Sequence, residues 1–559
     1  MFALSCSALP AASASASSTS QTPQLARRGV SEAATRSHAA APQPPRSSVV
    51  PHATGGAAGA GALPPYNVYG ARRYGSPANR PQPWQVVAAV CAVAMLLCNF
   101  HRSVFTALLP LVADQLALSP AEVGLAQSAM LWGYLAGQIP AGRLSDEHGG
   151  DRVLLNGLAL WSAATATTAA AAAAANTSAL WVLLAARVAM GGFSSVIMPA
   201  VSAACAQWVP AERKAATLAM IYAFFNMGGV LGLVAAPLMA ARSGWPGAFI
   251  TAAAGGVLWS ALGSFAIERS AGARPQAKTA GAAGAAGAAG AAGAAGAGAG
   301  AAGAAAPAAP SQPAVVPAAG GAGAGAEAVA LDRRETAIQV AALCLCHGVI
   351  GWGFFVLQSW LPMYMQSLGV RDLASAGLLS SLPWLAAAFT ATLAGGAADK
   401  MVRAAGGEPG RRLKVRRLMH TVSTLGCAAA MLPLAAGAGL GCAGGGCGGG
   451  LPPLVATGCL VAAVGCYGFS FGGFHAYVQD VASADAGALL GITNTASILG
   501  GIAGNIATGL LLQATGGYEG VFLAAACLYG LSWAVFMALL RGRPIRLQAL
   551  GLGGGGGRS

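Results

Sequence analysis

Two arginines, Arg102 and Arg187, fall inside apolar stretches of this chain. Arg102 interrupts Cys98-Asn-Phe-His-Arg-Ser103, and Arg187 lies in Leu184-Ala-Ala-Arg-Val-Ala-Met-Gly191. An ionisable group within a bilayer-length stretch is costly and marks a functional site by default. A buried carboxylate beside each would make both arginines structural. The 17 acidic residues, however, fall in loops, tails and helix ends, and Asp114, Asp480 and Asp485 come nearest the interior. Snorkelling to an interface is the bland alternative. Two permanent cations without partners instead predict a central cavity that receives an anion. Planar guanidinium forks match phosphate or carboxylate oxygens.

Three histidines also fall in apolar stretches. His101 adjoins Arg102, but helix neighbours point about 100° apart, so the two need not face the same way. A lone intramembrane histidine is usually a hydrogen-bonded structural group. His347, at middle depth, is the best of the three as a proton-sensitive group, and His475 lies nearer one end of its stretch. Enzyme chemistry would need clustered carboxylates, metal ligands or an activated nucleophile, and none is visible. No metal or cofactor is expected. Most of the 12 cysteines read as small apolar residues. Cys442 and Cys447, in a Gly-rich loop, keep a disulfide or metal role open.

The elements that must hold these residues follow from composition. The chain is 55% hydrophobic and 9% charged, against about 25% charged in a soluble domain, so it is a polytopic membrane protein. A net charge of +14 could suggest nucleic acid, but the basic residues form no patch and lie in loops between apolar runs. The partner they indicate is the lipid bilayer.

Twelve spans are expected, near 85–113, 120–142, 150–174, 179–206, 214–240 and 246–267, then 336–362, 374–399, 416–437, 454–479, 486–513 and 518–540. Lys and Arg concentrate in the loops after spans 2, 4, 6 and 8, whereas the opposite loops hold Arg242 and Arg371. Both termini and the central linker therefore face one, inner, side. Residues 269–334, with a near-repeating Ala-Ala-Gly, read as a disordered linker, and 542–559 as a flexible tail. Residues 1–83 are Arg- and Ser-rich with one acid, Glu32. That is the composition of a plastid transit peptide, with a disordered cytosolic tail as the alternative.

A polar turn carrying Gly142, Asp146 and Arg152 follows span 2, and a weaker copy ending at Asp399 follows span 8. Two related halves, 84–268 and 335–541, are thus expected: an all-α membrane protein with 12 transmembrane helices, for which the major facilitator fold of two six-helix halves is the leading candidate. Gly228, Gly229 and Gly232 in span 5, and Gly500, Gly501, Gly504 and Gly509 in span 11, predict close helix approach.

Several motifs resemble the anion/phosphate transporter family of the major facilitator superfamily, the branch of sodium–phosphate cotransporters, vesicular glutamate transporters and sialin. They are Trp132-Gly-Tyr-Leu-Ala-Gly-Gln-Ile-Pro-Ala-Gly142, Trp208-Val-Pro-Ala-Glu-Arg213, Gly244-Trp-Pro-Gly-Ala-Phe249 and Leu489-Leu-Gly-Ile-Thr-Asn-Thr495. The Leu97-Cys-Asn-Phe-His-Arg102 start is closest to the plant plastid phosphate and ascorbate transporters. The resemblance implies substrate contacts from Arg102, Arg187 and Tyr134, and an inner gate involving Gly142, Asp146, Arg152, Glu212, Arg213 and Asp399. It also implies secondary active transport of inorganic phosphate across a chloroplast membrane, inner envelope or thylakoid, driven by Na+ or H+. A plastid organic-anion transporter for ascorbate or glutamate, and a non-transporting anion sensor, are the alternatives.

This chain departs from the family at two places. After the span 4 arginine the family's Gly-Glu-Gly becomes Phe193-Ser-Ser195, so Ser194 replaces a glutamate associated with proton coupling. Before Asp480 an Asn-His pair is replaced by Tyr477-Val478. Coupling through a carboxylate thus has no evident seat. Sodium held by neutral oxygens, from Ser194, Ser195, Asn226 and Asn494, is the favoured reading, with a proton on His347 as its rival.

Overall fold

The computed structural model describes residues 81–174, 177–210, 213–271, 322–404, 406, 408–437, 451–482 and 486–550. The expected transit peptide, most of the linker (272–321), Glu212, Asp485, Cys442 and Cys447 lie outside the described residues.

Among the described residues the twelve apolar spans become twelve helices. In the first half these are α1 (Pro83–Gln115), α2 (Pro120–His148) and α3 (Gly150–Thr167, extended by a 3-10 turn Thr168–Ala172). Next comes α4, in two pieces, Thr177–Ser194 and Ile197–Trp208. The stretch Lys214–Ala271 is broken by Gly244, at φ 65°, into α5 (214–243) and α6 (245–271). The second half has α7 (Ala322–Ser367), α8 (Leu373–Ala404), α9 (Pro409–Ala436), α11 (Ala486–Thr515) and α12 (Glu519–Leu539). Its α10 runs Pro453–Tyr467, passes through a 3-10 turn (Gly468–Ser470) and a π turn (Phe471–His475), and ends as Ala476–Val481.

Ten stretches among the described residues are long and apolar enough to span a bilayer. Splitting one of them at Gly244 and adding α2, whose Gln127, Ser128 and Gln138 dilute its hydropathy, gives twelve. Prolines at the first turn start α1, α2, α9 and α10, where their missing N–H costs nothing. Ser119 caps α2, its N–H bonded to Glu122 Oε2 at 2.8 Å.

Three boundaries differ from the sequence expectation. First, α2 continues to His148, so its charged residues ride on the last helical turns, and Gly149 alone (φ 88°) makes the turn into α3. Second, residues 322–334, read as linker, belong to α7, because Ala, Glu, Leu and Arg there are good helix formers. Third, the tail is not free from 542 onward. Ile545 and Leu547 are buried, Ile545 N–H donates to the Val481 carbonyl at 2.7 Å, and Arg543 pairs with Glu335 at 2.7 Å.

Glycines set the helix spacing that positions the arginines. A Cβ on Gly228 would strike the Leu96 carbonyl, so α5 lies directly on α1; one on Gly500 would strike the Gly348 carbonyl, so α11 lies on α7. In the same way Gly133 meets the Val188 carbonyl and Gly191 the Met130 carbonyl, locking α2 against α4.

The two halves also meet. At the outer ends Gly124 of α2 packs on Gly509 of α11, and Gly377 of α8 on Leu233 of α5. Met130 and Leu131 continue this contact toward the middle against Ile498 and Ile502. Toward the inner ends it lapses: a Cβ on Gly142, Gly396 or Gly491 would meet nothing within 4 Å. The halves are thus packed closely at the ends carrying Gly124 and Gly377, and Gly142, Gly396 and Gly491 take no part in such contacts.

Candidate functional site

Arg102 projects from α1, and its guanidinium carbon lies 5.3 Å from the Tyr134 ring centroid and 6.0 Å from that of Phe225. The Tyr134 hydroxyl also contacts Arg102 and Gln138. Arg187, 4% exposed, comes from α4; its guanidinium carbon sits 3.8 Å from the Phe105 ring centroid, and one nitrogen points at the Met190 sulfur at 3.3 Å. Aromatic faces and a thioether hold these cations without neutralising them. The Nε–H of each has no hydrogen-bond partner, and among the described residues neither arginine makes an ion pair.

Both arginines line one cleft of about 320 Å³, solvent-open mouth included, where the halves meet. Opposite the arginines, α7 contributes Phe355, Gln358 and Ser359. Gln127 Nε2 donates to the Ser359 carbonyl at 2.7 Å, and Gln358 Nε2 to Asn99 Oδ1 at 3.3 Å, so neutral amides join the halves across the cleft. The sequence reading passed over Gln127 and Gln358. Their signal was an amide inside an apolar run, as in Val356-Leu-Gln-Ser-Trp360.

Other residues singled out in the sequence lie elsewhere. His101 is buried and bonded through Nε2 to the Ala252 carbonyl at 2.9 Å, away from the cleft. Ser194 and Ser195 donate to their own helix, to the Gly191 carbonyl at 3.0 Å and the Gly192 carbonyl at 2.7 Å. Asn226 lines a separate cleft between α5 and α8, while Asn494 is buried in α11 and His347 in α7. These coupling candidates do not come together around the arginines. The exposed Asp146, Arg152, Arg213 and Asp399 make no ion pair among the described residues. Asp480 is engaged by Arg416 at 2.7 Å and Arg412 at 3.8 Å.

Two six-helix halves enclosing a charged cleft define a polytopic membrane protein with the architecture of a transporter. Solved structures agree on the fold. A bacterial homolog of the human lysosomal transporter Spinster superposes with a TM-score of 0.59 over 84% of this chain and 99% of that one, at 14% identity. A D-xylose-proton symporter gives 0.58 over 82% and 98%, also at 14%. The profile of the Major Facilitator Superfamily matches residues 91–504. Curated plant proteins resemble the chain more closely. Probable anion transporter 4, chloroplastic, of Oryza sativa subsp. japonica is 31% identical over 83% of this chain and 70% of its own length. From Arabidopsis thaliana, sodium-dependent phosphate transport protein 1, chloroplastic (83% and 80% covered), and the chloroplastic ascorbate transporter (83% and 76%) are each 30% identical. The chain belongs to the Major Facilitator Superfamily, in its anion/phosphate transporter family.

Proposed function

We propose that this protein is a secondary active transporter of a small anion, inorganic phosphate first, across a chloroplast membrane, driven by co-transported sodium or protons. The observation that carries the reading is the pair Arg102 and Arg187 in one inter-half cleft with, among the described residues, no carboxylate paired with either. Burying an arginine at the centre of a membrane costs about 2.5–3.5 kcal/mol on insertion scales, which a bridging anion offsets. Phosphate presents several oxygens to two forks and to Tyr134. Rocking the halves about the site would expose it to each side in turn. The plant relatives support the anion and the organelle. A small organic anion such as ascorbate is the second reading, favoured by the ascorbate-transporting relative.

Uptake of labelled phosphate into liposomes, run under sodium and proton gradients, tests the assignment. Saturable uptake that excess unlabelled phosphate suppresses is expected. Uptake of ascorbate in preference to phosphate would select the second reading.

A further inference from the structure

A second set of unpartnered polar atoms lies inside the C-terminal half. His347 of α7 is fully buried, and neither ring nitrogen has a hydrogen-bond partner. Its ring centroid stands 5.3 Å from that of His475 of α10, at 84°. His475 is buried too; Nδ1 contacts the Ser470 carbonyl at 3.3 Å, while Nε2 and the buried Ser470 hydroxyl have no partner. His475 closes the π turn of α10, a distortion that recurs at functional sites.

Aromatic rings enclose the pair. Phe474 lies 4.8 Å from His347, and Phe471 stacks on His475 at 5.0 Å and 17°. Phe471 also lines the cleft that Asn226 of α5 shares with α8. It thus touches His475 on one side and the space between the halves on the other.

A neutral imidazole has one N–H and one lone pair. A proton added to either ring makes it a double donor, with the second imidazole and the unpartnered Ser470 hydroxyl in the same enclosure. A second proton is opposed by like charge at this separation, so the pair takes one. Few groups compete for it. Residues 486–515 of α11 contain no titratable side chain. On α12 there are Tyr529, the exposed Cys527 and, at its first residue, Glu519; on α7 itself Cys344 and Cys346 flank His347 most nearly, with Tyr364 and the charged residues 327–335 toward the two ends. On α9, His420 stacks on Phe536 at 4.0 Å, and Arg416 holds Asp480 of α10. Asp399 and Lys400 of α8 are exposed at its inner end, and on α1 Arg102 belongs to the anion cleft and His101 is bonded to α6.

We propose that His347 and His475 form a one-proton binding site, reached from the inter-half cleft past Phe471, and that the proton taken there drives uptake at the arginine site. The proposal rests on the transport reading. It places the coupling cation in the C-terminal half and the anion against the N-terminal one.

The test uses the full chain in liposomes with labelled inorganic phosphate at equal sodium on both sides. Wild-type uptake should rise with an inward proton gradient and carry protons inward. His347→Gln and His475→Gln should each lose that rise yet keep phosphate–phosphate exchange, which needs no net proton movement and shows that the variants fold. Should neither variant fold, Phe471→Ala retains both imidazoles, opens their route and should shift the pH profile of uptake; an unshifted profile would count against the site. Wild-type uptake that follows sodium and ignores protons would overturn the proposal, as would proton stimulation surviving in a folded histidine variant. A wild type with neither uptake nor exchange would instead remove the transport reading, and the proposal with it.

Discussion

Arg187 separates a structural cation from a functional one. A structural arginine would have a carboxylate against it, and its loss would leave that carboxylate buried and the protein destabilised. Arg187 has an aromatic face and a methionine sulfur instead. We expect Arg187→Ala to insert and fold as well as wild type, since removing a buried, unneutralised charge relieves a cost. Phosphate affinity should fall by roughly a hundredfold, the loss of charge-assisted hydrogen bonds worth about 1.5–3 kcal/mol each. Arg187→Lys should recover little, because an ammonium lacks the two-pronged fork. Thermal stability and phosphate binding measured on the same samples check both halves of the expectation; a destabilised alanine variant would make Arg187 structural. The arginines were legible in the sequence because a charge in an apolar run is conspicuous. Their neighbours were not. Gln127, Gln358 and the facing of His475 on His347 exist only once distant helices are docked, and an amide or imidazole in an apolar run does not announce its partner.

Between helices, the outer closure rests on contacts with no room for a side chain. A Cβ on Gly124 would lie 2.6 Å from the Asn505 carbonyl, and one on Gly509 would strike the Pro120 carbonyl. Gly509→Leu should therefore hold the outer ends of α2 and α11 apart and trap the protein open to the outer side. In a cysteine-depleted background carrying Thr106→Cys in the cleft, an impermeant thiol reagent should then label from the outer side instead of the inner, and uptake should fall severalfold. Unchanged labelling would show that this contact is not a gate. The helices themselves were readable from hydropathy, and the close approach of α5 and α11 to neighbouring helices from their glycines; that the neighbours are α1 and α7 was not. Helix ends were less so: the charged turns of α2 and the helix-forming run 322–334 carry no apolar signal. Ile545 and Leu547 are too short a pair, in a Gly- and Arg-rich tail, to predict docking.

For the whole molecule, twelve helices in two halves follow from composition, spacing and the repeated turn, and the inner side from the basic loops. Which end of the cleft is closed did not, because both states of such a protein satisfy the same hydropathy pattern. The Arg- and Ser-rich first 83 residues bear on destination: fused to a reporter, they should carry it into isolated chloroplasts, and a reporter left outside would contradict the plastid assignment. Labelled inorganic phosphate uptake by the purified full chain in liposomes, wild type beside Arg187→Ala, tests the central claim most directly. Saturable accumulation by the wild type and background uptake by an equally well-inserted variant are expected. Equal uptake by the two, or none by the wild type under any sodium or proton gradient, would contradict phosphate transport through the arginine cleft.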